Sequence, residues 1–136
     1  MSSNSLTVAV IGCGYWGPNL IRNFSSVPGC KVKYICDLDS QRLAKVHSQF
    51  PWTTPITDYR VALDDKEVQA VAIATPVSTH YPLTMAALNA GKHVLVEKPI
   101  ATNLADADAL IAACRKHGVK LGVAFLAQVD GAAAAA

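Results

Sequence analysis

Charge is scarce in this 136-residue chain: Asp, Glu, Lys and Arg make up 16% of it. Twelve Lys and Arg against ten Asp and Glu leave a formal charge of +2, with no basic or acidic run. Broad electrostatic binding to nucleic acid or to an anionic membrane is therefore unsupported. Cysteine is sparse too. Cys13, Cys30, Cys36 and Cys114 form no C-x-x-C pair and no zinc-type spacing, so no metal site is expected. Four reduced thiols in a cytoplasmic protein are the expectation. A secretory leader pattern is also lacking, because the first five residues are polar and uncharged and read as a disordered tail. Nor is there a membrane-length apolar run. Residues 68–91 carry no Asp, Glu, Lys or Arg, but they include Pro76, Pro82, Gln69, Ser78, Thr79, His80 and Asn89. Those breakers and polar groups exclude a lipid-exposed span and point to a strand, a turn and a helix.

What is plentiful is core material, at 51% hydrophobic residues. The length suits one domain. Short β-branched runs alternate with helical stretches. Strands are expected at 6–11, 31–36, 68–74, 93–96 and 120–125, with a weaker one within 52–57. Helices are expected at 18–26, 42–50 (capped by Ser40), around 59–63, at 79–90 and at 104–116. Six strands separated by helices predict a doubly wound parallel sheet, a Rossmann-type α/β fold over 6–125. Residues 126–136, ending in five alanines, read as an atypical tail.

Chemistry concentrates in a few places. Gly12-Cys13-Gly14-Tyr15-Trp16-Gly17 is a G-x-G-x-x-G turn between a buried strand and a helix, the context that a dinucleotide-binding loop needs. In that reading Gly12 allows the tight turn, Gly14 lets a pyrophosphate approach the backbone, and Gly17 lets helix and strand pack closely. The helix N-terminus then offers N–H groups and a positive dipole end. Asp37 ends the second strand, 20 residues after Gly17. Its carboxylate suits the adenosine ribose hydroxyls and would repel a 2′-phosphate by roughly 4 kcal/mol at ~4 Å and an effective dielectric of ~20. NAD is thus expected over NADP. Asp39 reads as the capping or solvated acid. Arg42 is placed either over the adenine or simply on an exposed helix face. Glu97-Lys98-Pro99 puts a charge pair at the carboxyl edge of the sheet, where ligands bind in open α/β folds. Its alternative is a surface ion pair of little energetic weight. Cys13 lies near a helix N-terminus, which can lower a thiol pKa, but the sequence suggests no partner histidine and no catalytic role is expected of it.

These segments, with Cys36-Asp37, Ala74-Thr75-Pro76, Thr79-His80 and Ala90-Gly91-Lys92-His93-Val94, resemble the Gfo/Idh/MocA oxidoreductases in register from about Leu6 to Val123. The Tyr15-Trp16-Gly17-Pro18-Asn19 form looks most like the UDP-N-acetyl-hexosamine, or hexosaminuronic acid, 3-dehydrogenases. The resemblance implies backbone contacts from Tyr15 and Trp16 to the pyrophosphate, although Trp16 also reads as a packing anchor. It implies that Thr75 and Pro76 line the cofactor's path. His80 would lie near the nicotinamide-side ribose, with a helix-capping or packing role as its alternative. Glu97 and Lys98 would lie beside the nicotinamide. Lys98 would be catalytic only with a substrate domain supplied, and a cis Lys98–Pro99 bond is expected.

The resemblance covers the cofactor half only. Family members continue the last strand into a Gly-His-type segment and a second domain that holds the sugar pocket. Here Gly122-Val-Ala-Phe-Leu-Ala-Gln-Val-Asp130 has no histidine after Val123. The expectation is an NAD(H)-binding module, the cofactor half of a sugar or sugar-nucleotide dehydrogenase, not catalytic alone. Two alternatives are an oxidoreductase completed by self-assembly or a partner chain, and a non-enzymatic NAD-gated sensor. A homodimer through the sheet edge or an uncovered interface is a further expectation.

Overall fold

The computed structural model describes residues 5–124. Most of the expected tails at 1–5 and 126–136, together with Phe125, lie outside the described residues. The elements run β1 (Leu6–Ile11), α1 (Gly17–Ser26), β2 (Cys30–Cys36), α2 (Ser40–Gln49), β3 (Thr54–Ile56), α3 (Arg60–Asp64), β4 (Ala70–Ile73), α4 (His80–Asn89), β5 (His93–Glu97), α5 (Leu104–His117) and β6 (Leu121–Ala124). A single 3-10 turn over Val77–Thr79 leads into α4. The six strands pair in the order β3-β2-β1-β4-β5-β6, all parallel. This is the expected doubly wound Rossmann-type fold. Strand order reverses between β1 and β4, so the carboxyl ends of these strands form the crevice where ligands of such sheets bind.

Two apolar layers hold the sheet. On one face Val10, Val32, Ile35 and Ala72 pack with Leu20 and Ile21 of α1 and Leu43 and Val46 of α2. On the other, Ala9, Val71, Ile73, Val94 and Val96 pack with Ala87 and Leu88 of α4 and Leu110 and Ala113 of α5. Each fully buried aliphatic side chain contributes about 1.5–3 kcal/mol of transfer free energy. Strands buried on both sides explain why β1 and β4 read as unbroken apolar runs.

Register slips once. Val8 pairs with Val32 and Ala9 with Tyr34, leaving Lys33 as the extra residue of a bulge in β2. The bulge lets Val32 and Ile35 share one face although they are three apart, and it sends Tyr34 to the other layer. The weakly expected third strand is present and short. Pro55 sits in it without disrupting a central ladder because β3 is an edge.

Helix ends follow local chemistry, with one correction. Asp39, not Ser40, caps α2: its carboxylate accepts from the Gln41 and Arg42 N–H groups at 3.0 and 3.1 Å. Asn103 caps α5 by accepting from Asp106 N–H at 2.8 Å, and Gly118 closes it with φ 64°. Among the described residues no helix is long and apolar enough to cross a membrane.

Candidate functional site

The glycine loop emerges from β1 into a space already crowded on two sides. Gly12 has φ 102°, and a Cβ there would come within 2.6 Å of the Ala74 carbonyl oxygen. A Cβ on Gly17 would lie 2.0 Å from the Gly12 oxygen. Both glycines are therefore required by the fold itself. Gly14 differs: its φ is ordinary, and a Cβ there would meet nothing within 4 Å. No protein neighbour explains the missing side chain, and open space lies where it would stand.

Polar groups around the loop divide the same way. Gly12 N–H donates to the Cys36 carbonyl at 2.7 Å, and Cys13 N–H donates to Asp37 Oδ2 at 2.8 Å. Among the described residues the Gly14 and Tyr15 N–H groups donate to no protein acceptor. They precede α1, whose first turn contains Pro18 and no acidic side chain. Unpaired donors at a helix N-terminus suit an anion.

Asp37 is buried at the end of β2, only 9% exposed. Oδ1 accepts from Asp39 N–H at 2.8 Å, while Oδ2 accepts from Cys13 and lies 3.4 Å from Arg42 Nη1. Arg42 is half-exposed and also reaches Asp39 Oδ2 at 3.9 Å. The structure thus holds the edge of its guanidinium against two carboxylates. Leu38, between the acids, is 90% exposed.

The Cys13 thiol runs against the expectation from its helix N-terminus. It is buried, donates to the Cys36 carbonyl at 3.6 Å, and is pushed up to about 12, first by burial and then by the Asp37 carboxylate. Cys36 is raised to about 12 by the same causes. Desolvation outweighs the helix end, and both thiols are held in the protonated form at neutral pH.

At the other half of the crevice, Thr79 Oγ1 donates to the Pro76 carbonyl at 2.5 Å and can accept from the Thr75 hydroxyl at 2.6 Å, tightening the turn after β4. Pro76 is exposed and Thr75 half-buried. His80 is 1% exposed, with Nδ1 2.8 Å from the Pro99 carbonyl oxygen and Nε2 2.9 Å from that of Thr75. A neutral imidazole has one N–H and donates to one carbonyl, whereas the doubly protonated ring donates to both. Both ring nitrogens face carbonyl oxygens inside the protein, so His80 bridges the β4 turn and the β5 turn and has no nitrogen turned to solvent. The packing alternative describes this position better than a ribose contact.

Glu97 ends β5, and its Oε2 is buried without a hydrogen-bond partner. Lys98 is exposed beside it, and the Lys98–Pro99 bond is cis, as expected. Tyr15 is 84% exposed and meets half-buried Trp16 edge to face at 5.0 Å. Among the described residues no group of three or more His, Cys, Asp and Glu could hold a metal ion.

A dinucleotide fits this arrangement on three counts internal to the structure: the open space at Gly14, the unpaired loop N–H groups, and the orphaned Glu97 oxygen at the opposite end of the crevice. Sequence reasoning did not single out exposed Leu38 or the bond from Asp37 to the loop, and it offered the packing of His80 only as an alternative. An apolar residue standing between two acids just past a strand was the available signal for Leu38. The other two depend on contacts 24 and 19 residues apart.

Comparison with known proteins agrees with this geometry. Residues 6–125 match the family model described as the oxidoreductase family with an NAD-binding Rossmann fold. The D-apiose dehydrogenase of Paraburkholderia graminis is 35% identical over 85% of this chain and 31% of its own length. The crystal structure of GenD2, from gentamicin A biosynthesis and in complex with NAD, superposes with a TM-score of 0.85 at 31% identity, covering 90% of this chain and 35% of that one. The 3-ketoreductase KijD10 of Actinomadura kijaniata, solved with TDP-benzene and NADP, gives 0.83 at 30% identity, covering 90% and 39%. The chain spans about a third of the length of the curated relatives it matches. The loop, the acid at the end of β2 and the sheet that carries them place this chain in the Gfo/Idh/MocA oxidoreductase family, as its NAD-binding Rossmann domain.

Proposed function

We propose that this chain binds NAD(H) as the cofactor half of a sugar or sugar-nucleotide dehydrogenase, and does not turn over substrate by itself. The observation that carries the reading is Gly14, whose missing side chain has no structural reason within the protein and opens the loop to a ligand. The Gly14 and Tyr15 N–H groups, with the start of α1, receive the pyrophosphate; Trp16 packs beside them and adds its N–H. Asp37 receives the adenosine ribose hydroxyls on its remaining lone pairs. Leu38 supplies apolar surface for the adenine, and Arg42 stays on its carboxylates. Thr75 and Pro76 line the path to the nicotinamide half, with His80 holding their turn in place. Glu97 and Lys98 stand at its end.

When bound, the nicotinamide accepts or supplies a hydride. Lys98 then holds the substrate hydroxyl by charge and hydrogen bonding, and becomes catalytic only where a substrate pocket brings a CH–OH group to it. A nucleotide-sugar substrate, as the Tyr15-Trp16-Gly17-Pro18-Asn19 form suggests, is the finer part of the proposal. KijD10, with its TDP ligand, supports that class, and the D-apiose dehydrogenase supports the broader sugar class.

NAD is proposed over NADP because the buried Asp37 carboxylate opposes a 2′-phosphate. Relatives solved with NAD and with NADP make this a matter for measurement. Calorimetric titration of the purified chain with NADH and NADPH tests both points. NADH binding with weaker NADPH binding is expected. A folded chain that binds neither would refute the cofactor reading.

A further inference from the structure

We infer that Asp37 is a positioning residue for the phosphate loop, acting through the Cys13 N–H, beyond its proposed contact with ribose. The inference rests on the dinucleotide reading of the site.

The observations are geometric. Gly12 and Cys13 are consecutive, and both donate to the end of β2: one to the Cys36 carbonyl at 2.7 Å, the other to Asp37 Oδ2 at 2.8 Å. The two bonds stitch the loop to a strand that β1 has already left behind. Cys13 is 2% exposed, so without Asp37 its N–H would be buried without a partner. Such a group costs enough to move the backbone toward water. The next two residues are Gly14 and Tyr15, which have no backbone donor bond of their own to hold them. Their position depends on Cys13.

The residue type fits the duty. Asp37 faces three donors: the Cys13 N–H, the Asp39 N–H and the Arg42 guanidinium. A carboxylate presents two acceptor oxygens, whereas an asparagine must turn an NH2 toward one of these donors. Asn at this position is nearly isosteric and still wrong. An aspartate that served only ribose hydroxyls would not need to accept from the loop before any ligand arrives.

Two measurements separate these roles. The first needs no ligand: amide hydrogen exchange at Cys13 in the wild type, Asp37→Leu and Asp37→Ala, with Val10 of β1 as the internal reference. Cys13 exchange should accelerate about tenfold or more relative to Val10 in both variants. Unchanged exchange at Cys13 overturns the inference, and Asp37→Leu, near-isosteric and without an acceptor, decides alone if the alanine variant does not fold. The second is titration with NADH and with 2′,3′-dideoxyadenosine diphosphate, which keeps the pyrophosphate and lacks the ribose hydroxyls. Asp37→Leu should weaken both, each about tenfold. A loss confined to NADH would show a ribose contact only and overturn the loop role. If the wild type binds neither ligand, the dinucleotide reading fails, while the Cys13 exchange result still decides whether Asp37 braces the loop.

Discussion

The turn that leads into β4 and the turns that leave β1, β4 and β5 handle polar groups in opposite ways. Before β4, the charged groups of Lys33, Asp65 and Lys92 are consumed within the protein. Lys33, the bulged residue of β2, meets Asp65 at 2.6 Å and Glu67 at 2.7 Å, and the Tyr34 hydroxyl donates to Asp65 at 2.7 Å. Lys92 is 6% exposed and donates to the carbonyls of Asp65 and Val68 at 2.9 and 2.7 Å. At the carboxyl edge, loop N–H groups and a buried Glu97 oxygen are left over. The first region is polar chemistry that closes on itself and stabilises. The second is polar chemistry that needs another molecule to close it. Residue types alone do not tell them apart, since both regions hold a lysine beside acids.

The sharpest way to break this contrast is a pair of glycine substitutions. Gly17→Ala sets a Cβ 2.0 Å from a carbonyl oxygen and should cost several kcal/mol or prevent folding. Gly14→Val should leave the denaturation midpoint within about 0.5 kcal/mol of wild type and abolish NADH binding. Normal NADH affinity in folded Gly14→Val would refute the placement of the ligand. Next in size is Lys92→Met, which keeps the buried stem and strips two carbonyls of their donor. Urea unfolding should show a loss of about 1–3 kcal/mol, with NADH affinity unchanged in the folded protein.

The closed region also sets a pH dependence. Lys33, then the Tyr34 hydroxyl and the Glu67 N–H, hold the Asp65 carboxyl well below the ordinary aspartate value of 3.8. A depressed carboxylate contributes stability that is full above the unfolded value and is lost as pH falls through the folded one. Thermal unfolding from pH 6 downward should therefore show a steeper acid loss in wild type than in Asp65→Asn. Parallel curves would remove Asp65 from the network. The smallest effect is expected of Asn103→Ala, which removes the α5 cap and should cost about 1 kcal/mol without touching the crevice.

Local signals made most of the fold legible. Apolar runs marked β1, β2, β4 and β5, and glycine with proline punctuated them. The bulge at Lys33 was not legible, because nothing in Lys31-Val32-Lys33-Tyr34 says which residue is extra; the two packed layers decide that. In the site, the loop and Asp37 stood out through spacing. His80 read as a ligand-side group because histidine after a strand turn suits that duty as well as it suits bridging. Its role depends on the carbonyls of Thr75 and Pro99, which only the folded chain brings to either side of the ring. Cys13 shows a related limit: a helix end is visible in sequence, whereas the burial that raises its thiol pKa is not.

The glycine loop, finally, has a consequence for the cost of binding. Its shape is set before any ligand arrives, by two bonds to the end of β2 and by the close packing of Gly12 and Gly17. A ligand entering the loop would meet a backbone already held at Gly12 and Cys13, which lowers the ordering cost of binding.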